Sequence, residues 1–155
     1  MYDRILVPTD GSEGMAGVVD HALELAAVHD AAVHGLYVVD TGSFATLPVE
    51  TTWNGVSEML REEGEHALDT FGERAEDVPV ESAITEGNPS DEIVAYAEDN
   101  GCDTIVMGTH GRGGIDRLLL GSVAERVVRT SSVPVVIVPV GDAEAEVEQP
   151  ADVPT

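Results

Sequence analysis

DTIVMGTHGRGGIDRLLLGSVAERVVR, residues 103–129, changes character twice along its length. Asp103 to Met107 is a short apolar run of β type, and Ser122 to Arg129 has helical spacing, so the glycine-rich piece between them joins a strand to a helix. Such a junction suits phosphate. A glycine lets the backbone take positive φ and approach a ligand closely, while the free N–H groups and positive dipole end of the following helix favour an anion. Gly108, Gly111 and Gly121 precede Ser122 at spacings of three and ten residues, and the Ser122 hydroxyl adds a further donor.

Working outward, the same alternation repeats along the chain. Arg4 to Pro8 reads as a buried strand and Ser12 to His29 as a helix with Val18, Ala22, Leu25 and Ala26 on one face. Ala32 to Val39 is the next strand. A polar loop from Asp40 to Thr52, either a rim over a site or a plain connector, leads to a second helix over Trp53 to Arg74. Its apolar positions are Val56, Leu60, Ala67, Leu68 and Phe71. Val80 to Thr85 alternates as a strand, Asn88 and Pro89 form an N-cap and first helical position, and Gly101 marks the stop of that helix. Val135 to Val138 is the last strand. Five strands alternating with four helices predict one doubly wound α/β domain, a five-stranded, mainly parallel sheet with helices on both faces, and its strand order is 3-2-1-4-5 if strands one to three wind one way and strands four and five the other. From Gly141 to Thr155 there are five acidic residues, no basic ones and two prolines, which predicts a disordered acidic tail beyond a domain of residues 1–140.

Size and charge narrow the classes. With 155 residues and 43% hydrophobic content the chain suits a single domain with a real core. No apolar run reaches the roughly 18 residues of a membrane span, and the opening MYDRILVPTDGS lacks the pattern of a signal peptide, so a cytoplasmic protein is expected. Cys102 is the only cysteine, which excludes an internal disulfide and a thiolate metal cluster. The 30 acidic residues face 7 basic ones, all arginine, for a net charge of -23. That surface repels nucleic acid and anionic membranes, and its self-repulsion is relieved in concentrated salt, where the Debye length falls to about 3 Å at 1 M. The composition resembles that of proteins from halophilic organisms.

Ligands of open α/β sheets bind beyond the carboxyl ends of the strands where the winding reverses. In the order 3-2-1-4-5 the first and fourth strands are neighbours, so Pro8-Thr9-Asp10-Gly11-Ser12 and Met107 to Gly114 face each other. Arg112, Arg117, Arg126 and Arg129 put four of the seven basic residues within eighteen positions, opposed there only by Asp116 and Glu125. This is either an anion site or a set of arginines paired with acidic neighbours. Ser122 with Glu125 also fits a helix capping box, and Asp10 with Gly11 fits a simple turn. His110 has no matched nucleophile and reads as a solvated loop residue. His21 and His29 are too far apart for a helical metal site, and His34 and His66 have no evident companions, so no protein-built metal site and no catalytic residue is assigned.

Gly108, Gly111, Gly121 and Ser122 match the pattern G-2x-G-9x-G-(S/T), and with it the chain resembles the ATP-binding branch of the universal stress protein family. The similarity extends to ILVPTDGSE at Ile5 to Glu13, YVVD at Tyr37 to Asp40 and SSVPVVIVP at Ser131 to Pro139, about residues 1 to 140 in all. The resemblance implies an adenine nucleotide, ATP, AMP or ADP, with Mg²⁺. Asp10, after Pro8 and Thr9, would lie near the ribose or the nucleotide-bound metal, and Val38 would meet the adenine edge through its backbone, near Met107. Gly108, Gly111 and Gly113 would line the phosphates with Arg112 beside them. Gly121, Ser122 and Val123 would donate to the phosphates, and Thr109 and His110 would contribute mainly backbone. It also implies a homodimer through Val135, Val136, Ile137 and Val138, an apolar edge strand open to pairing.

Other functions of a five-stranded α/β chain fit less well. A phosphoacceptor receiver domain needs a lysine that this chain lacks, a Walker A hydrolase needs G-x-x-x-x-G-K-[ST], and a flavodoxin-like carrier needs aromatic residues in its loops. A nucleotide-binding regulatory protein of the stress response is the favoured function. The alternatives are a slow ATP hydrolase or autophosphorylating enzyme with Ser122 or Thr109 as acceptor, and a dimeric interaction module in which nucleotide is only structural.

Overall fold

The structure is a computed structural model that describes residues 1–41, 53–75, 77–109 and 120–140. Its elements run β1 (Arg4–Pro8), α1 (Met15–His29), β2 (Ala32–Asp40), α2 (Trp53–Arg74), β3 (Val80–Gly87), α3 (Pro89–Asp99), β4 (Thr104–Gly108), α4 (Ser122–Thr130) and β5 (Val135–Val138). All the strands pair in parallel, in the order β3-β2-β1-β4-β5. The predicted doubly wound α/β architecture is therefore the observed one. Most of the Asp40 to Thr52 loop, the acidic segment from Gly141 on and the side chain of Val56 lie outside what is described.

A strand covered on both faces must be apolar where it is covered, and β1 is so beyond its exposed first residue, Arg4: Ile5, Leu6 and Val7 are fully buried. Their alternate sides feed two separate cores. Ile5 and Val7 join Val18, Val19, Ala22, Val33, Phe71 and Val106 beneath α1 and α2. Leu6 joins Leu36, Ile93, Ala97, Cys102, Ile105, Met107, Ala124 and Val127 beneath α3 and α4. Each buried Val, Leu, Ile, Met or Phe among them contributes about 1.5–3 kcal/mol through burial. Gly64 lets α2 lie close on the sheet, since a Cβ there would come within 2.6 Å of the Tyr37 ring.

Local chemistry moves one boundary. The expected helix from Ser12 begins three residues later, at Met15. The Asp10 carboxylate accepts the Ser12 N–H at 2.9 Å, Gly11 takes φ 78°, and Ser12 and Glu13 carbonyls close tight turns onto Met15 and Ala16. A side-chain oxygen that captures a backbone N–H competes with helix in this way. At the far end, Asp30 takes a left-handed conformation and bonds back to Ala26 and Ala27. For α3, the Asn88 side chain accepts the Asp91 N–H, Pro89 occupies the first turn, and Asp91 and Glu92 lie at the positive end of the helix.

The middle of the sheet is also tied together at its amino end. The Asp103 carboxylate accepts the N–H groups of Asp3 (2.7 Å) and Arg4 (2.9 Å), joining the start of β1 to the start of β4. Those two bonds, with Arg4 first, hold its pKa below the ordinary 3.8.

Candidate functional site

The reversal of winding falls between β1 and β4, which pair through Ile5↔Thr104 and Leu6↔Ile105. Just beyond β1, the Thr9 N–H donates to Leu36 O at 2.8 Å and the Thr9 hydroxyl accepts the Gly11 N–H at 3.1 Å. The turn of Asp10 and Gly11 is thus fixed from both sides, at the carboxyl edge where a ligand would lie. Pro8, Val38 and Met107 occupy the adjoining strand ends. Val38 and Met107 belong to the core on the α3–α4 side, which assigns this end of the site to that face.

Beyond β4, Thr109 is a structural junction. Its N–H donates to Val138 O (3.1 Å), its carbonyl accepts the Gly121 N–H (2.6 Å), and its hydroxyl accepts the Val140 N–H (3.0 Å). Thr109 is buried, and these bonds bring the end of β5 and the start of α4 to the end of β4. Its backbone N–H and hydroxyl are already engaged inside the fold. His110, Gly111, Arg112 and Gly113 lie outside the described residues.

The capping-box expectation for Ser122 is corrected. Gly121 is the N-cap of α4, in extended conformation and with no side-chain cap, and its carbonyl accepts the Glu125 N–H at 2.9 Å. Ser122 is one position too late to cap, so its hydroxyl is exposed at the helix start. The first N–H groups of any helix have no acceptor within it, and the glycine N-cap offers them no side-chain oxygen. The amides of Ser122 and Val123 are thereby left at the positive end of α4, a donor set that fits an anionic group.

The arginine cluster resolves in part as local pairing. Arg129 pairs with Glu125 one turn earlier in α4, and Arg126 lies 3.8 Å from Asp91 in α3. These two are surface links between helices and carboxylates. Arg112 and Arg117 lie outside the described residues.

His34 also differs from expectation. It is buried, and its Nδ1 shares a 2.9 Å hydrogen bond with the Tyr96 hydroxyl, while Nε2 is 3.6 Å from Glu81. Burial raises the Tyr96 pKa, followed by the effects of Cys102 and Glu81. Cys102 is buried too, and burial first of all pushes its thiol up to about 11, so it stays protonated at neutral pH. Among the described residues no cluster of three metal-ligating side chains occurs.

One residue on this face had no signal in the sequence. Thr85, at the end of β3, pairs in register with Val38, and its Oγ1 is buried without a hydrogen-bond partner. On the opposite face, α1 and α2 enclose an open cavity of about 620 Å³ that shares Thr9, Gly11 and Ser12 with the candidate site. Glu13, Glu62 and Glu63 line it, and its Arg74 is held by Asp20 at 2.6 Å. That balance of charge disfavours phosphate.

The universal stress protein family model matches residues 1–139. The chain belongs to the universal stress protein family. Universal stress protein MJ0531 of Methanocaldococcus jannaschii is 44% identical over 140 residues, 89% of this chain and 82% of the relative. The solved structure of MJ0577 from the same organism superimposes with a TM-score of 0.81 at 34% identity, covering 92% of this chain and 99% of that one. A universal stress protein solved in complex with cAMP has a TM-score of 0.61 at 28% identity, over 90% of this chain and 98% of its own. The sheet order described above is thus that of a universal stress protein, and at least one relative holds an adenine nucleotide.

Proposed function

We propose that this universal stress protein is an adenine-nucleotide-binding regulatory protein of the stress response. The observation that carries the reading is the start of α4: a glycine N-cap, which has no side chain to cap the helix, set beyond the strand pair where the winding reverses. Phosphates would accept from the amides of Ser122 and Val123 and from the Ser122 hydroxyl. The loop containing Gly108, Gly111 and Gly113, with Arg112, would follow the rest of the phosphate chain. Pro8, Val38 and Met107 offer adenine an apolar slot with backbone hydrogen-bonding groups. Asp10 would reach a magnesium ion carried in by the nucleotide, which would supply charge neutralisation at the phosphates.

ATP with Mg²⁺ is the preferred ligand, and retention outweighs turnover, because no described side chain is set to orient an attacking water. The cytoplasm of a halophilic cell suits the acidic surface. β5 is an edge of the sheet, with Val135 to Val138 partly exposed, and a second copy pairing there would give a homodimer. Light scattering in molar salt should return twice the chain mass; a monomer would exclude that assembly.

Calorimetric titration of MgATP in molar salt, wild type against Gly111→Val, tests the reading. Binding by the wild type and at least about tenfold weaker binding by a variant that melts normally are expected, since a branched side chain would obstruct the close approach of phosphate. A wild type that binds no adenine nucleotide would sink the proposal. Phosphate release measured in the same samples separates retention from hydrolysis.

A further inference from the structure

We propose that Thr85 reads the base, its hydroxyl bonding the hydrogen-bonding edge of adenine beside Val38; this rests on the nucleotide reading above and deepens it. Two buried side-chain polar atoms lack a hydrogen-bond partner among the described residues, His34 Nε2 and Thr85 Oγ1. The first faces Glu81 at 3.6 Å, and the other nitrogen of its ring is bonded to Tyr96. Thr85 Oγ1 has no hydrogen-bond partner among the described residues. Buried hydroxyls in folded proteins are almost always satisfied, so an orphan calls for a partner from outside the chain.

Position supplies the partner. Side chains alternate along a strand, so Thr85 shares its face with Ala83, which packs in the core beneath α3 and α4. Val38 packs in that same core and is the register neighbour of Thr85 on β2. Adjacent strands lie about 4.8 Å apart, within one side chain's reach of a base that contacts the Val38 backbone. The residue as a whole is only part-buried, so the strand end is open although the oxygen is covered.

The chemistry suits adenine. Its edge offers an amino donor beside ring-nitrogen acceptors, and a threonine hydroxyl is both donor and acceptor. Valine has the same shape and would fill a purely structural position without an unsatisfied oxygen. A hydroxyl kept at this point distinguishes bases by which edge can pair with it, so Thr85 is a specificity-determining residue of the site.

The test titrates wild type, Thr85→Val and Thr85→Ser with MgATP and MgGTP in molar salt, with thermal melts of each protein without nucleotide. Thr85→Val should bind ATP about five- to tenfold more weakly and lose part of the preference for ATP over GTP, while melting at or above the wild type. Thr85→Ser should bind like the wild type. Equal ATP affinity in wild type and Thr85→Val would overturn this inference and leave the nucleotide reading standing. A Thr85→Val protein that melts well below wild type would overturn it too, because the hydroxyl would then have an internal partner. No ATP binding by the wild type would remove both readings together.

Discussion

The two faces of the sheet are built from different chemistry. Beneath α1 and α2 the apolar cluster runs from Ile5 and Val7 through Val18, Val33, Phe71 and Val106, and the buried Thr104 on the same side of β4 donates its hydroxyl to the Pro134 carbonyl at 2.7 Å. Beneath α3 and α4, β2 and β3 add His34 and Thr85 to the interior and the turn before β4 adds Cys102, with Tyr96 and Ser90 on the covering helix. Both partnerless buried polar atoms lie on this second face. Polar groups in a low-dielectric interior are costly unless they are bonded, and an apolar core of the same shape holds a fold more cheaply. The first face is therefore built for stability, and the second gives up some stability for specific contacts.

Breaking the apolar face should have the largest effect. Phe71 is 3% exposed, and Phe71→Ala is expected to cost about 3–5 kcal/mol in denaturant unfolding. ATP affinity, measured where the variant is fully folded, should not change. A parallel loss of affinity would mean that the faces do not divide the work. On the polar face, Tyr96→Phe removes the hydroxyl bonded to His34 and leaves a buried nitrogen alone, for an expected cost of about 1–3 kcal/mol in the same assay. An unchanged midpoint would show that this face tolerates unsatisfied groups more readily than argued here.

The smallest effect depends on pH and concerns the seam between the central strands. Because the folded pKa of Asp103 lies below its ordinary 3.8, the carboxylate stabilises the fold above that value, and the contribution disappears as pH falls through the lower, folded pKa. Unfolding midpoints followed downward from about pH 5 should fall less steeply in Asp103→Asn than in wild type. Identical slopes would remove Asp103 from the acid response.

What could be read from the chain depended on range. Strands such as Ile5-Leu6-Val7 and the glycine junction after Met107 are local patterns, and the alternation of elements pointed to a doubly wound parallel sheet, whose order then depended on where the winding reverses. The start of α1 was hidden because the Asp10 side chain takes the Ser12 N–H, a competition that apolar spacing does not register. The N-cap of α4 was off by one residue, since glycine and serine stand side by side and both can end a loop. Non-local pairs could not be read at all. His34 meets Tyr96 across 62 positions, and Arg126 reaches Asp91 only because α3 and α4 lie together. Thr85 was silent for the same reason: its significance lies in what its hydroxyl lacks once the chain has folded.

The clasp between Asp103 and the start of β1 joins residues 99 and 100 positions apart in the chain. At synthesis rates of about 5–20 residues per second, β1 leaves the ribosome roughly 5–20 s before β4 can follow it. β1 can pair early with β2, but its other edge must wait as an open, largely apolar template. This central strand is therefore the part of the nascent chain most in need of chaperone cover until the Asp103 contacts at its amino end close β4 onto it.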